Sequence, residues 1–312
     1  MLGHGAFGHV YLGLYDDAGR TRLVAIKKEP RKKDKQVSTL RQEYKLMQQA
    51  ALGGKGSHVS PLSYWEDQDS SYLASQLMGP SIGALHKLCD KIFSVKTCLM
   101  LFRQMLERLC SLHAVGIIHR DIKPDNFVVD FTLPHREIHI IDMGLAKRYL
   151  HKGQHIPYNT DIPRIGSLRY MSKHVHNSVE PSRRDDLYSL LFTIVYLCKG
   201  YLPWGLTTDH KFKSLDRRDK YDYIAKLKAI PHSKLVADIT CKEGPCRSGS
   251  CSFKKMLIEM FMYTDKLAFT DSIDYPRLLT MVDTCFKEHG YKNDANWDWL
   301  KHFIVSSPGE AQ

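Results

Sequence analysis

His119-Arg120-Asp121-Ile122-Lys123-Pro124-Asp125-Asn126, followed by Asp142-Met143-Gly144, constrains what this chain can fold into more than any other part of it. The two segments read as polar loops between apolar strands. An acid at 121, a lysine at 123, an amide at 126 and a second acid at 142 form the set that phosphoryl transfer requires. One group takes or orients a hydroxyl proton, one neutralises the transferred group, and two offer oxygen to magnesium. The bland alternative is a pair of ordinary polar loops. Parts suited to the same chemistry lie upstream in the expected order and weigh against it.

Gly3-His4-Gly5-Ala6-Phe7-Gly8-His9-Val10 reads G-x-G-x-x-G-x-V. The same glycine spacing occurs in dinucleotide-binding folds, where the glycines must open a helix whose N-terminus meets the pyrophosphate. Here Val10, Leu12 and Leu14 alternate at period two, so the chain leaves the glycines as a strand. The glycines are expected at a hairpin tip, where bare backbone can close over phosphates and Phe7 can cap the tip. For this motif alone, a plain glycine hairpin is the alternative. Leu23-Val24-Ala25-Ile26-Lys27 follows as an apolar strand ending in lysine. Leu40, Tyr44 and Met47 then recur near one face of a helix that also carries Glu43. Lys27 would reach the α- and β-phosphates, with Glu43 as its partner; for each, a solvated side chain is the alternative.

With these residues in hand, the chain resembles a protein kinase, and over nearly its whole length a Ser/Thr kinase of the casein kinase I family. The closer likeness is carried by His155-Ile156-Pro157-Tyr158, Ser182-Arg183-Arg184-Asp185-Asp186-Leu187 and Leu202-Pro203-Trp204. Phe269-Thr270-Asp271-Ser272-Ile273-Asp274-Tyr275 and Asn296-Trp297-Asp298-Trp299-Leu300 extend it. The Ala-Pro-Glu that ends most kinase activation segments is absent. Arg169-Tyr170-Met171-Ser172-Lys173-His174 stands there instead, similar to the family's Arg-Tyr-Ala-Ser-Ile-Asn.

The resemblance implies a bilobal α+β fold over residues 1–303, followed by a short tail at 304–312. A small antiparallel β lobe with helix C is expected over 1–77, a hinge over 77–80 and a larger, mainly helical lobe over 80–303. It implies Asp121, Lys123, Lys27 and Glu43 as catalytic residues and Asn126 and Asp142 as Mg2+ ligands. ATP would be bound by Leu2, Gly3, Gly5, Gly8, Val10, Ala25, Lys27, Ser75 and Leu77. Lysine at 123 favours Ser/Thr substrates over Tyr. Activation is expected without a phosphate on the activation segment, although Arg120 could serve one.

The net charge is +11, and its placement matters more than its size. Arg31-Lys32-Lys33-Asp34-Lys35 is most simply a solvated loop. In the resembled family, a basic pocket receives a phosphate already on the substrate, and Arg169 and Lys220 match two of its positions. Acidic or primed protein substrates are therefore implied, with dispersed surface charge as the alternative. Asn159-Thr160-Asp161-Ile162-Pro163-Arg164 lacks the family's lysine, with Arg164 close by, and Lys211 to Asp219 is longer and more charged than usual. Met143 replaces a phenylalanine and should pack beneath helix C. Ser75 takes the place of a larger gatekeeper, which should open a pocket behind the adenine. Only Met1 and Leu2 precede the glycines, whereas the family has a longer first strand, so a shortened adenine roof is expected.

At 312 residues and 43% hydrophobic, the chain can bury a substantial core. Its longest apolar run, Leu187 to Cys198, includes Ser189 and Thr193 and is too short to span a bilayer. It reads as the central helix of the large lobe. Leu99, Phe102, Met105, Leu106 and Leu109 predict the long helix that delivers the chain to His119. No signal peptide is expected ahead of the glycines. The eight cysteines read mostly as reduced core thiols. Cys241, Cys246 and Cys251 lack the paired spacing and fourth ligand of a zinc site and favour a surface insertion. A monomer of the cytoplasm or nucleus is expected, with protein substrates, no nucleic acid and no membrane span. The competing class is a pseudokinase or scaffold, whose usual mark is a lost catalytic residue; Lys27, Glu43, Asp121, Asn126 and Asp142 are all present.

Overall fold

Apolar alternation in the first third of the chain builds a small sheet. The computed structural model describes residues 1–5, 8–31, 38–53, 59–131, 135–205, 212, 214–240 and 251–303. Phe7, the basic residues 32–35, Cys241, Cys246 and the 304–312 tail lie outside the described residues, as do the side chains of Arg217 and Arg218. Strands β1 (Gly3–Gly5), β2 (Gly8–Asp17), β3 (Arg20–Pro30), β4 (Pro61–Glu66) and β5 (Ser70–Gln76) form one antiparallel sheet, ordered β1-β2-β3-β5-β4. Val10 pairs with Lys27 and Lys27 with Leu73; Leu12 pairs with Ala25 and Ala25 with Ser75. Direct partners share a face and the side-chain period is two, so these six residues lie on one face of the sheet. At Gly8, φ is +152° and an added Cβ would sit 2.0 Å from the Lys28 carbonyl oxygen, so β2 can start there only with glycine.

Helix α1 (Thr39–Ala51) packs against this sheet, and a buried acid decides where it begins. Glu29, 7% exposed near the end of β3, accepts hydrogen bonds from Ser38 Oγ at 2.9 Å, Thr39 Oγ1 at 2.7 Å and the Leu40 amide at 3.3 Å. A carboxylate here meets both the unsatisfied N–H groups and the positive end of the helix dipole. Leu40, Glu43, Met47 and Ala50 are the buried residues of α1 and follow one helical face.

The rest of the chain is mainly helical. It comprises α2 (Ile82–Leu88), α3 (Val95–Ala114), α4 (Lys173–His176), α5 (Arg183–Lys199), α6 (Arg217–Leu227), α7 (His232–Val236), α8 (Ser252–Asp265) and α9 (Tyr275–His289). Leu99, Phe102, Met105, Leu106 and Leu109 are fully buried in α3, as their spacing predicts. Ser94 caps α3 through the Thr97 amide and donates its hydroxyl to Asp298 at 2.8 Å, which ties the Trp297–Trp299 segment to the helix start. The apolar run from Leu187 lies in α5, whose capping box joins Ser182 and Asp185. Met143 is buried in a turn against which α1 packs. Among the described residues, no helix is long and apolar enough to cross a membrane. A β-rich N-terminal part and a helical C-terminal part thus make the mixed α+β fold expected from the sequence.

Replacing Glu29 by alanine strips three donors of a buried charged acceptor and should cost about 1–3 kcal/mol of stability. Denaturant unfolding of Glu29→Ala measures this, and an unchanged midpoint would show that α1 is set by packing alone.

Candidate active site

Two short ladders bring the polar motif residues together. β6 (Ile117–Ile118) pairs with β9 (Lys147–Arg148), and β7 (Phe127–Val129) pairs with β8 (Ile138–Ile140). The loop 119–126 runs from β6 to β7. Phe127 stands opposite Ile140, and the Ile141 amide donates to the Asn126 carbonyl at 2.9 Å. Asn126 and Asp142 therefore leave the same end of one hairpin.

Asp121, 8% exposed, is held from several sides. Its Oδ1 accepts the Ser167 amide at 2.8 Å; its Oδ2 accepts Lys123 Nζ at 2.6 Å and Asn126 Nδ2 at 3.2 Å. Asn126 Nδ2 also donates to the Asp121 carbonyl at 2.8 Å, which leaves the amide oxygen as the atom Asn126 offers to a ligand. Gly166 makes the Ser167 contact possible. It has φ +94°, and an added Cβ would sit 2.4 Å from the Arg120 carbonyl oxygen.

Lys27 forms the second centre. Its Nζ donates to Glu43 Oε2 at 2.8 Å, Glu43 Oε1 at 3.1 Å and Asp142 Oδ1 at 2.8 Å. Burial alone would lower the Lys27 pKa, but the Glu43 and Asp142 carboxylates outweigh it and hold the ammonium above its ordinary range. Burial would raise Asp142, yet Lys27 keeps that carboxyl below its usual range. Burial pushes Glu43 up against the pull of Lys27. Two short contacts to both of its oxygens mark the geometry of an ion pair. A lysine from the sheet thus joins α1 to the Asp142 turn of the large lobe.

The sheet register gathers Val10, Ala25, Lys27 and Ser75 on the face that carries this centre. Gly3 and Gly5 lie on β1, paired with Val10 and Gly8, and the Leu2 amide donates to the Val10 carbonyl at 2.7 Å. Leu77 and Met78 follow β5 and lead to Gly79, whose amide donates to the Val129 carbonyl at 3.0 Å. The basic residues lie against aromatic rings. The Arg169 guanidinium lies 5.3 Å from the Tyr196 ring, and Lys220 Nζ lies 5.7 Å from that of Phe212. Arg164 is bound to α6 by Asp222 at 3.0 Å and stacks 5.1 Å over Tyr221, the residue after Lys220.

Sequence reasoning did not give Asp186 or Ser167 a role. Asp186, buried in α5, accepts the His119 amide at 2.7 Å, the Arg120 amide at 2.8 Å and His113 Nε2 at 3.0 Å. The available signal was an acid just ahead of the apolar run of α5, since a buried carboxylate demands partners. A further cluster, Asp130, Glu137 and His139, brings three ligand-type atoms within 4.8 Å of one another. His139 Nε2 is already bonded to Asp130 at 3.0 Å, and its buried Nδ1 has no partner, so it lacks the outer support that metal-ligating histidines usually have.

The model of the protein kinase domain family matches residues 1–271. That match spans the glycine hairpin, the Lys27 centre, the Asp121 loop and the Asp142 turn in the order and geometry just described, and the chain belongs to the protein kinase family.

Proposed function

We propose that this chain is an ATP-dependent Ser/Thr protein kinase of the casein kinase I type, acting on acidic or already phosphorylated proteins. The observation that carries this reading is the pair of assembled centres, Lys27 with Glu43 and Asp142, and Asp121 with Lys123, Asn126 and Ser167. An amide oxygen and a carboxylate are hard donors of the kind magnesium takes, so Asn126 and Asp142 fit a Mg2+-bound nucleotide. Held by Asn126 and Asp142, Mg2+ would supply positive charge to neutralise what develops on the phosphates.

In this reading Lys27, held charged and oriented by Glu43, directs its ammonium at the phosphates. Asp121 orients the substrate hydroxyl and takes its proton, and its own orientation is set by the Ser167 amide. Lys123 supplies positive charge beside the same point. Most of the acceleration would come from such positioning and charge stabilisation. Leu2, Val10, Ala25 and Leu77 would enclose the adenine, Gly3, Gly5 and Gly8 would cover the phosphates, and Ser75 would leave space behind the base. Residues 1–303 would make the catalytic domain, with the hinge at 77–80.

Lysine at 123 supports Ser/Thr substrates. The Arg169-to-His174 segment in place of Ala-Pro-Glu supports the casein kinase I type. Arg169 and Lys220 would read a substrate phosphate, and Arg164, anchored to α6, would take the place of the family's lysine. The full catalytic set speaks against a pseudokinase.

Asp121→Asn and Lys27→Met should each lower phosphate transfer from ATP to a primed or acidic peptide by roughly 100-fold or more while leaving the fold intact. Unchanged turnover in either variant contradicts the assignment. Arg169→Ala should raise KM for a primed peptide with kcat little changed, and an unaltered KM would remove the basic pocket from the account. Inhibitors with a bulky group behind the adenine should bind the native chain at least roughly tenfold tighter than Ser75→Met. Equal affinities would mean that Ser75 opens no pocket.

A further inference from the structure

Lys228 is the half-buried C-cap residue of α6. Nζ donates to the Leu168 carbonyl at 2.9 Å and the Met171 carbonyl at 2.7 Å. It lies 5.3 Å from the Phe192 ring centroid and 5.2 Å from that of Trp204. Burial pulls its pKa well below the ordinary lysine range, and two carbonyls and two ring faces surround the nitrogen. A methionine or leucine would fill the same gap between the rings without the cost of desolvating an amine. What only lysine adds is a pair of donors to the backbone of one segment.

The same segment is gripped at a third carbonyl. Trp204 Nε1 donates to the Arg169 carbonyl at 2.7 Å, so the carbonyls of 168, 169 and 171 are all taken by Lys228 and Trp204. Just upstream, the Ser167 amide is bonded to Asp121 at 2.8 Å. Residues 167–171 are therefore a strap with one end on Asp121 and the other on α6. Arg169 projects from the middle of that strap, and α6 also carries Lys220. In the proposed reading, Arg169 on the strap and Lys220 on α6 together read the substrate phosphate.

We propose that Lys228, together with Trp204, is a positioning clamp that fixes the Leu168–Met171 backbone against α6 and so keeps Arg169 and Lys220 in register for a phosphorylated substrate. This rests on the reading of the chain as a kinase with a basic pocket, and it adds residues that touch neither nucleotide nor substrate. Lys228 acts through the backbone it holds. Its loss should therefore alter substrate recognition and the mobility of one strap, not the chemistry at Lys27 and Asp142.

The test uses the full chain with Lys228→Met, which keeps the apolar stem and removes the donors. Amide hydrogen exchange should quicken roughly tenfold or more in residues 168–172 while α3, α5 and the Ser167 amide keep their protection. KM for a primed serine peptide should rise about tenfold, with kcat and the KM for ATP within about twofold of the native values. Trp204→Phe, which keeps a ring and removes only the donor to Arg169, should move the same readouts in the same direction by less. Unchanged exchange in the strap overturns the clamp. Equal acceleration throughout α3 and α5 also overturns it, since that marks a general structural prop. Exchange needs no turnover, so a native chain that transfers no phosphate while the strap loosens locally in Lys228→Met would refute the kinase reading and uphold the clamp on the backbone.

Discussion

A carboxylate cannot remain ionised inside an apolar helix bundle without donors around it, and the demands of Asp186 organise the centre of this molecule. Burial would raise its pKa, but the bond from His113 and the amide of His119 hold it below the usual range. By taking two successive amides, of His119 and Arg120, it bends the chain where β6 ends; Arg120 adopts φ 66° there. Such left-handed backbone in a residue other than glycine costs about 1–3 kcal/mol and persists only where its surroundings enforce it. The enforcement comes from three helices at once, because His113 lies on α3, Asp186 on α5 and Tyr275 on α9, with the Tyr275 hydroxyl 2.8 Å from His113 Nδ1. The loop that carries Asp121 is thus a product of the helical core.

The small lobe meets this frame through charge. Glu29 fixes the start of α1, α1 presents Glu43, and Glu43 with Asp142 holds Lys27. Asp142 also sits at φ 64°, a second strained position at the site. Its carboxylate faces Lys27 because the turn around Met143 packs under α1. One line of contacts therefore runs from the β3–α1 junction to the turn after β8. Any ligand that coordinates Asp142 would compete for or reinforce the Lys27 contact, so in the proposed reading a nucleotide there would bear on how α1 and the Asp142 turn are held together.

What was legible in the sequence was what repeats at short range or follows fixed spacing. The alternation of Val10, Leu12 and Leu14 foretold β2, the helical recurrence of Leu99 to Leu109 foretold α3, and V-A-I-K placed Lys27 on a strand. Motif spacing also brought Glu43, Asp121, Asn126 and Asp142 into view, and the fold gathers them. Asp186, Ser167 and Lys228 were not legible in this way. Each bonds to a group tens of residues away, by contacts that exist only once α5, α6 and the 167–171 strap have packed. Their residue types carry no local pattern: an aspartate before an apolar run could as well be a solvated cap, and a lysine at a helix end is most often exposed. Of the cysteine triplet, Cys251 is buried at the start of α8, and Cys241 and Cys246 lie outside the described residues.

The central claim is that Asp142 and Asn126 converge with Lys27 on a single metal-nucleotide site. Thermal melting of the native chain and of Asp142→Asn, each titrated with ATP in the presence and absence of Mg2+, tests this most directly. Linkage requires that a ligand binding only the folded state raise Tm with concentration. The account predicts a magnesium-dependent rise for the native chain that is largely lost in Asp142→Asn. No rise in the native chain, or an equal rise in both, would contradict it.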